Sequence, residues 1–203
     1  MSKFYKVEGK AMYAKVFKPD TQFDRNGVYS VDLLKPEAEA VELSDFLEGM
    51  VKERVANEKK ANPDVNLATH LPFAPNKDKQ GNETGEIKFK FKLDAKVNGR
   101  NGEYEQKPTV VDAKRTPMSG ENLIGNGSIV KVAFEPRTWV ASGKCGVKLH
   151  LKALQVINLE AYAKGAETLF DDEDGYTEER IQKDDASEYS FEETATADAE
   201  GDF

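Results

Sequence analysis

The sequence predicts an all-β domain with one inserted helix, followed by an unstructured acidic tail. Three observations carry that expectation. Several segments alternate apolar and polar side chains with the period of a half-buried strand, most clearly residues 86–97. Only residues 36–60 show the i, i+3, i+4 spacing of a helix. Residues 171–203 hold 14 of the 37 acidic residues and only two basic ones, Arg180 and Lys183. The division expected is therefore a folded domain over residues 1–170 and a tail over 171–203.

Taken in order, residues 10–17 place Ala11, Tyr13, Lys15 and Phe17 on one side and Met12, Ala14 and Val16 on the other, a first strand ended by Lys18, Pro19 and Asp20. A loop over 19–27 carries Phe23, Arg25 and an Asn26-Gly27 turn signal, and a second strand over 28–34 completes a hairpin. Pro36 at a helix start, with Val41, Leu43, Phe46, Leu47, Met50, Val51 and Val55 on one stripe, predicts a helix to Lys60, stopped by Asn62-Pro63. Residues 62–85 lack periodicity and read as a long surface loop.

In the 86–97 strand Ile87, Phe89, Phe91 and Leu93 share one face, while Lys88, Lys90 and Lys92 form a ladder on the other. A short strand is expected at 109–111, then a loop over 112–127 with Lys114, Arg115 and Gly125-Asn126-Gly127. Strands at 128–134, carrying Lys131, and 146–159, carrying Lys148, follow. Between them a loop over 135–145 carries Arg137, Trp139, Gly143 and Lys144. Six strands with turn-rich connections and one long helix predict a small closed or partly closed barrel. The five-stranded OB-fold is the barrel of that size that binds oligonucleotides, on its strand 2 and 3 face and with the loops joining strands 1 to 2 and 4 to 5.

Charge points to the class of partner. Without the tail, 27 Lys and Arg face 23 Asp and Glu, so a body of net +4 carries a tail of net −12. A like-charged block cannot bury enough apolar surface to order itself, and 33 flexible residues span about 30 Å, enough to reach the body's own basic surface. A basic body with a built-in polyanionic competitor implies a polyanionic ligand, nucleic acid. Phe203, after Asp202, is the expected anchor for a partner protein's pocket.

An unpaired strand offers phosphates to cations and base faces to aromatics. The candidate contacts are Arg25, Lys88, Lys90, Lys92, Lys114, Arg115, Lys131, Arg137, Trp139, Lys144 and Lys148. An ordinary solvated sheet face would produce the same lysine ladder, and Trp139 could equally pack on its own hairpin. Phe89 and Phe91 belong to the core, since they share a face with Ile87 and Leu93.

Enzymatic chemistry is not expected. Gly143-Lys144 is followed by Cys145 rather than Ser or Thr, and Cys145 and His150 fall on opposite faces of a strand. His70 and His150 are too far apart in sequence for zinc-ligand spacing, and Asp171 to Asp174 lack the EF-hand pattern, so no metal or cofactor is expected. A single cysteine, no apolar leader and no apolar run longer than four residues imply a cytosolic chain that neither is secreted nor spans a membrane.

The strings 27–33 (GVYSVDL), 89–92 (FKFK), 110–112 (VVD), the glycine-rich turn at 124–128, Trp139, 147–149 (VKL) and 201–203 (GDF) occur in an order that resembles the single-stranded DNA-binding proteins of short-tailed, T-seven-type phages. The resemblance runs from about Ala11 to Leu159 plus the tail, with 62–85 poorly matched. It implies an OB-fold with an appended helix, binding of single strands without sequence preference, and a homodimer. It further implies a tail whose Asp202 and Phe203 meet the phage DNA polymerase and helicase-primase, in replication, recombination and repair in the cytoplasm of the infected bacterial host. Two aromatic positions of the family pattern are filled otherwise here, by Leu93 and Asp94 and by Arg137. Trp139 with neighbouring cations, or Tyr5, Tyr13 or Phe23, would then supply the stacking. The rival expectations are an acidic-tailed scaffold protein and an OB-fold RNA-binding protein.

Overall fold

Alternation closes into a barrel in the computed structural model, which describes residues 3–22, 24–99, 102–120 and 123–160. The elements are β1 (Tyr5–Asp20), β2 (Val28–Pro36), α1 (Glu37–Ala61), β3 (Ala68–His70), β4 (Phe73–Lys77), β5 (Glu83–Asp94), β6 (Lys96–Gly99), β7 (Gly102–Glu105), β8 (Thr109–Val111), β9 (Ile129–Ala141) and β10 (Lys144–Asn158). β1 pairs antiparallel with β2 and β9, β2 with β5, and β9 with β10. The ring closes where β10 runs parallel to β5, through the pairs Leu149–Phe91 and His150–Lys92. This five-stranded closed barrel with one helix is the expected OB-fold. The acidic tail, with Asp202 and Phe203, lies outside the described residues, as does Phe23.

The inward faces fill the barrel. Phe89 and Phe91 of β5 are fully buried with Val31 and Leu33 of β2, Val130, Val132 and Phe134 of β9, and Leu149, Leu151 and Leu154 of β10. Phe91 meets Phe134 edge to face at 5.1 Å. α1 covers the barrel with Ala40, Leu47 and Val51, and its Phe46 lies 4.9 Å from the ring of Tyr5. The helix begins after Pro36, whose φ of −50° suits an entry, carries Glu37 and Glu39 in its first turn and Lys59 and Lys60 in its last, and stops at Asn62.

Three expectations are corrected. Residues 62–85 are not a structureless loop: β3 pairs parallel with β10, β4 pairs with β5, and Phe73 packs on Phe89 at 5.4 Å. Residues 135–145 are not a loop either. β9 and β10 continue past the barrel as a hairpin arm and turn at Ser142 and Gly143, with φ of 49° and 71°, a two-residue turn that demands this backbone. Arg137, Trp139 and Lys144 are therefore strand residues. The 86–97 strand ends at Asp94, and a separate hairpin, β6–β7, follows.

Candidate nucleic-acid interface

β2 and β5 turn their polar faces outward because their apolar residues are committed to the barrel. Directly opposed pairs on that face are Ser30–Lys92, Asp32–Lys90 and Leu34–Lys88. One side is raised by β1, with Tyr13 and Lys15, and the other by the end of β3, with His70, by Pro72 just before β4, and by the β9–β10 arm, with Trp139 and Lys148. The result is a groove of about 860 Å³. Its far wall is pinned to its floor, since the N–H of Lys90 donates to the carbonyl of Pro72 at 2.9 Å.

Trp139 stands on β9 opposite Gly146. A Cβ at Gly146 would lie 2.7 Å from both the indole and the carbonyl oxygen of His70, so only glycine admits this packing. The indole thus lies on bare backbone, with the His70 ring 5.9 Å away. The expected packing on its own hairpin is seen, and the same ring also lines the groove.

The groove is not uniformly cationic. It carries Lys15, Lys90, Lys92 and Lys148, but also Asp20, Asp24, Asp32 and Asp94. Two lysines are engaged: Lys15 with Asp20, and Lys148 with Asp94 at 2.6 Å. Asp24 accepts from the N–H of Asn26 in its turn. Asp32 is buried, and burial pushes its carboxyl above the ordinary value, against the opposing pull of Lys90, Lys88 and Lys92. Lys90 and Lys92 make no ion pair among the described residues and are exposed. They are the uncommitted charge at the centre of the groove.

Of the sequence candidates, Lys90, Lys92, Trp139 and Lys148 line the groove together. Lys88 continues the ladder just beyond it, half-buried. Arg137 lies beside Lys148 on the arm and pairs with Glu135 at 2.8 Å. Lys144 is exposed beside the arm's turn. Arg25 sits in the β1–β2 turn and lines a smaller hollow of about 350 Å³ with Lys96 and Lys107. Lys114 and Arg115 are exposed on the turn after β8, and Lys131 pairs with Glu8 on the β1–β9 wall at 3.2 Å. Tyr5 is packed between Phe46 and Phe134, which removes it as a stacking platform. His70 and the four aspartates were not singled out from the sequence. Asp32 alone had a signal there, as the acid on the outward parity of the 28–34 strand.

On β10, two residues beyond Lys148, His150 lies in the field of Lys148, Arg137, Asp94 and Lys152. Burial first, then Lys148 and Arg137, lowers its pKa to about 4, so the imidazole is neutral at neutral pH. Cys145, on the opposite parity, is buried in the core. Among the described residues no group of His, Cys, Asp and Glu is arranged to hold a metal, and no helix is long and apolar enough to cross a membrane.

The family described as single-stranded DNA-binding protein, bacteriophage T7, matches residues 8–159, which takes in α1 and, apart from the first three residues of β1, the strands of the barrel. The chain belongs to that family. It is a family of binding proteins rather than enzymes. Among solved structures, gp2.5, a single-stranded DNA-binding protein encoded by bacteriophage T7, is 26% identical with a TM-score of 0.66, over 81% of this chain and 96% of that one. The single-stranded DNA-binding protein of bacteriophage Enc34 shares the fold at 15% identity. Its C-terminally truncated form gives a TM-score of 0.53 over 78% of this chain and 88% of that one. Its complex with single-stranded DNA gives 0.52 over 79% and 89%. No curated protein sequence matches the chain. The phage single-stranded DNA-binding family thus accounts for the barrel and for the helix inserted between β2 and β5.

Proposed function

We propose that residues 1–170 bind single-stranded DNA without sequence preference in the groove over β2 and β5. The observation that carries this reading is Lys90 and Lys92, free of ion pairs among the described residues, beside the Trp139 ring on one concave face. The two ammonium groups replace counterions at successive phosphates, a term that weakens with salt, and the indole stacks on bases of any identity. Lys88, Lys148 and Arg137 extend the cationic track at its edges. Arg25, Lys114, Arg115 and Lys144 add to the field that draws the strand in, whereas Lys131, paired with Glu8, adds little.

The tail reading rests on charge. Residues 171–203, at net −12, compete with DNA for the groove when no strand is bound and are released when one is. Asp202 and Phe203 then engage the phage DNA polymerase and helicase-primase, and the protein, as a homodimer in the host cytoplasm, serves replication, recombination and repair.

Quenching of the single tryptophan, Trp139, by oligo-dT at several salt concentrations tests the first reading. Binding that weakens with salt supports it, and indifference to oligo-dT in dilute buffer overturns it. Equal or tighter binding of a matched RNA oligomer would move the assignment to RNA. Removing the residues after Phe170 is expected to tighten binding at low salt, and unchanged affinity would end the competition proposal.

A further inference from the structure

Tyr13 breaks the strand that holds it. Its φ of 51° lies in the left-handed region, where a bulky side chain is an outlier. The pairing of β1 with β2 shifts register between Met12 and Lys15, so the residue sits on a bulge. The bulge reverses the strand's parity: Ala11 and Val16, on opposite sides in simple alternation, are both buried. Tyr13 is thereby thrown outward, 63% exposed, onto the wall of the groove.

The strained backbone is held from outside the strand. The N–H of Tyr13 donates to Oδ1 of Asn126 at 2.8 Å. The loop bearing Asn126 is tied to β1 by the N–H of Gly127 on the carbonyl of Ala11 at 2.9 Å and by the N–H of Ala11 on the carbonyl of Ser128 at 2.8 Å. An exposed ring contributes little to folding, whereas a left-handed tyrosine costs stability. A scaffold that maintains both places the ring for something other than the core.

We infer that Tyr13 is a base-stacking platform that takes the flat face of an unpaired nucleobase of the strand whose other bases meet Trp139. The inference rests on the proposed groove reading and adds a second aromatic wall to it. The ligand is a nucleobase face without hydrogen-bond readout, so pyrimidines and purines are both accommodated. Lys15, two residues on and also lining the groove, stands where the adjoining phosphate would exchange with Asp20.

Full-length Tyr13→Leu, Tyr13→Phe and Tyr13→Gly decide it, read by Trp139 quenching with oligo-dT and oligo-dA and by thermal melting. Tyr13→Leu is expected to weaken binding about tenfold with the salt slope unchanged, and Tyr13→Phe to bind as wild type. Tyr13→Gly, which accepts a positive φ without strain, is expected to melt no lower than wild type yet bind as weakly as the Leu variant. Wild-type affinity in both the Leu and Gly variants overturns the stacking role, as does a loss confined to the salt slope. Failure of the wild type to bind either oligomer overturns the groove reading itself, a result distinct from either.

Discussion

Two acid–base pairs face each other across neighbouring strands of the barrel, and they behave differently. Glu8 and Lys131 are opposed on β1 and β9 and form an ion pair at 3.2 Å. Asp32 and Lys90 are opposed in the same manner on β2 and β5, yet no ion pair joins them. Asp32 lies 8% exposed at the groove floor, where burial disfavours its charge, while Lys90 stands in solvent. Register alone does not spend a lysine; the depth of its neighbour decides. Lys131 is already paired, and Lys90 makes no ion pair among the described residues.

The largest way to break this contrast is from beneath. Phe91→Ala, between Lys90 and Lys92, should cost about 3–5 kcal/mol by urea unfolding and remove the wall that carries the ladder. A loss under about 1 kcal/mol would contradict the packing of Phe91 against Phe134. Next comes Trp139→Leu, expected to cost about 1–3 kcal/mol of oligo-dT affinity, measured by filter binding since the fluorophore is gone.

The sharpest comparison pits Lys90→Gln with Lys92→Gln against Lys131→Gln. The double variant should lower the slope of log K against log salt by about 1.4, at roughly 0.7 per phosphate contact. Lys131→Gln should leave the slope unchanged and alter stability by less than about 1 kcal/mol. Equal slopes in the two variants would erase the distinction between the walls.

The smallest effect is that of Asp32→Asn. Because the folded carboxyl is raised above 3.8, the folded state holds its proton more tightly than the unfolded chain. Whatever stability that proton confers is present below the unfolded value and lost as pH rises through the folded one. At neutral pH the wild type carries the cost of a buried charge, and the asparagine variant does not. The variant should therefore melt slightly higher at pH 7, with a flatter stability curve above pH 4, and bind DNA more tightly.

What the sequence made legible follows from where each strand sits. Phe89, Phe91 and Leu93 alternate with lysines because β5 has one face in the barrel and one in solvent, so both the strand and its ladder could be read. β4, with Phe73 half-buried and Ala74 and Pro75 exposed, pairs mainly through its backbone and leaves no period. Trp139 and Val140 belong to an arm beyond the core, so alternation fades there and the hairpin passes for a loop. On β1 a single left-handed residue shifts the pattern by one, which ran the expected faces together. Within the groove, Lys148 is occupied by Asp94 of another strand, and Lys15 by Asp20 five residues on along the bulged β1, where simple alternation would put the two on opposite faces.

The parallel splice between β5 and β10 has a mechanical consequence. Every other junction of the ring runs through at least five paired residues, but this one through two, Leu149–Phe91 and His150–Lys92. Tension applied through a captured filament would load that short seam before any other. Opened there, the barrel would become one five-stranded sheet in the order β5–β2–β1–β9–β10, still joined through β1 and β9, so the cleft would widen like a clasp without any other pairing being broken.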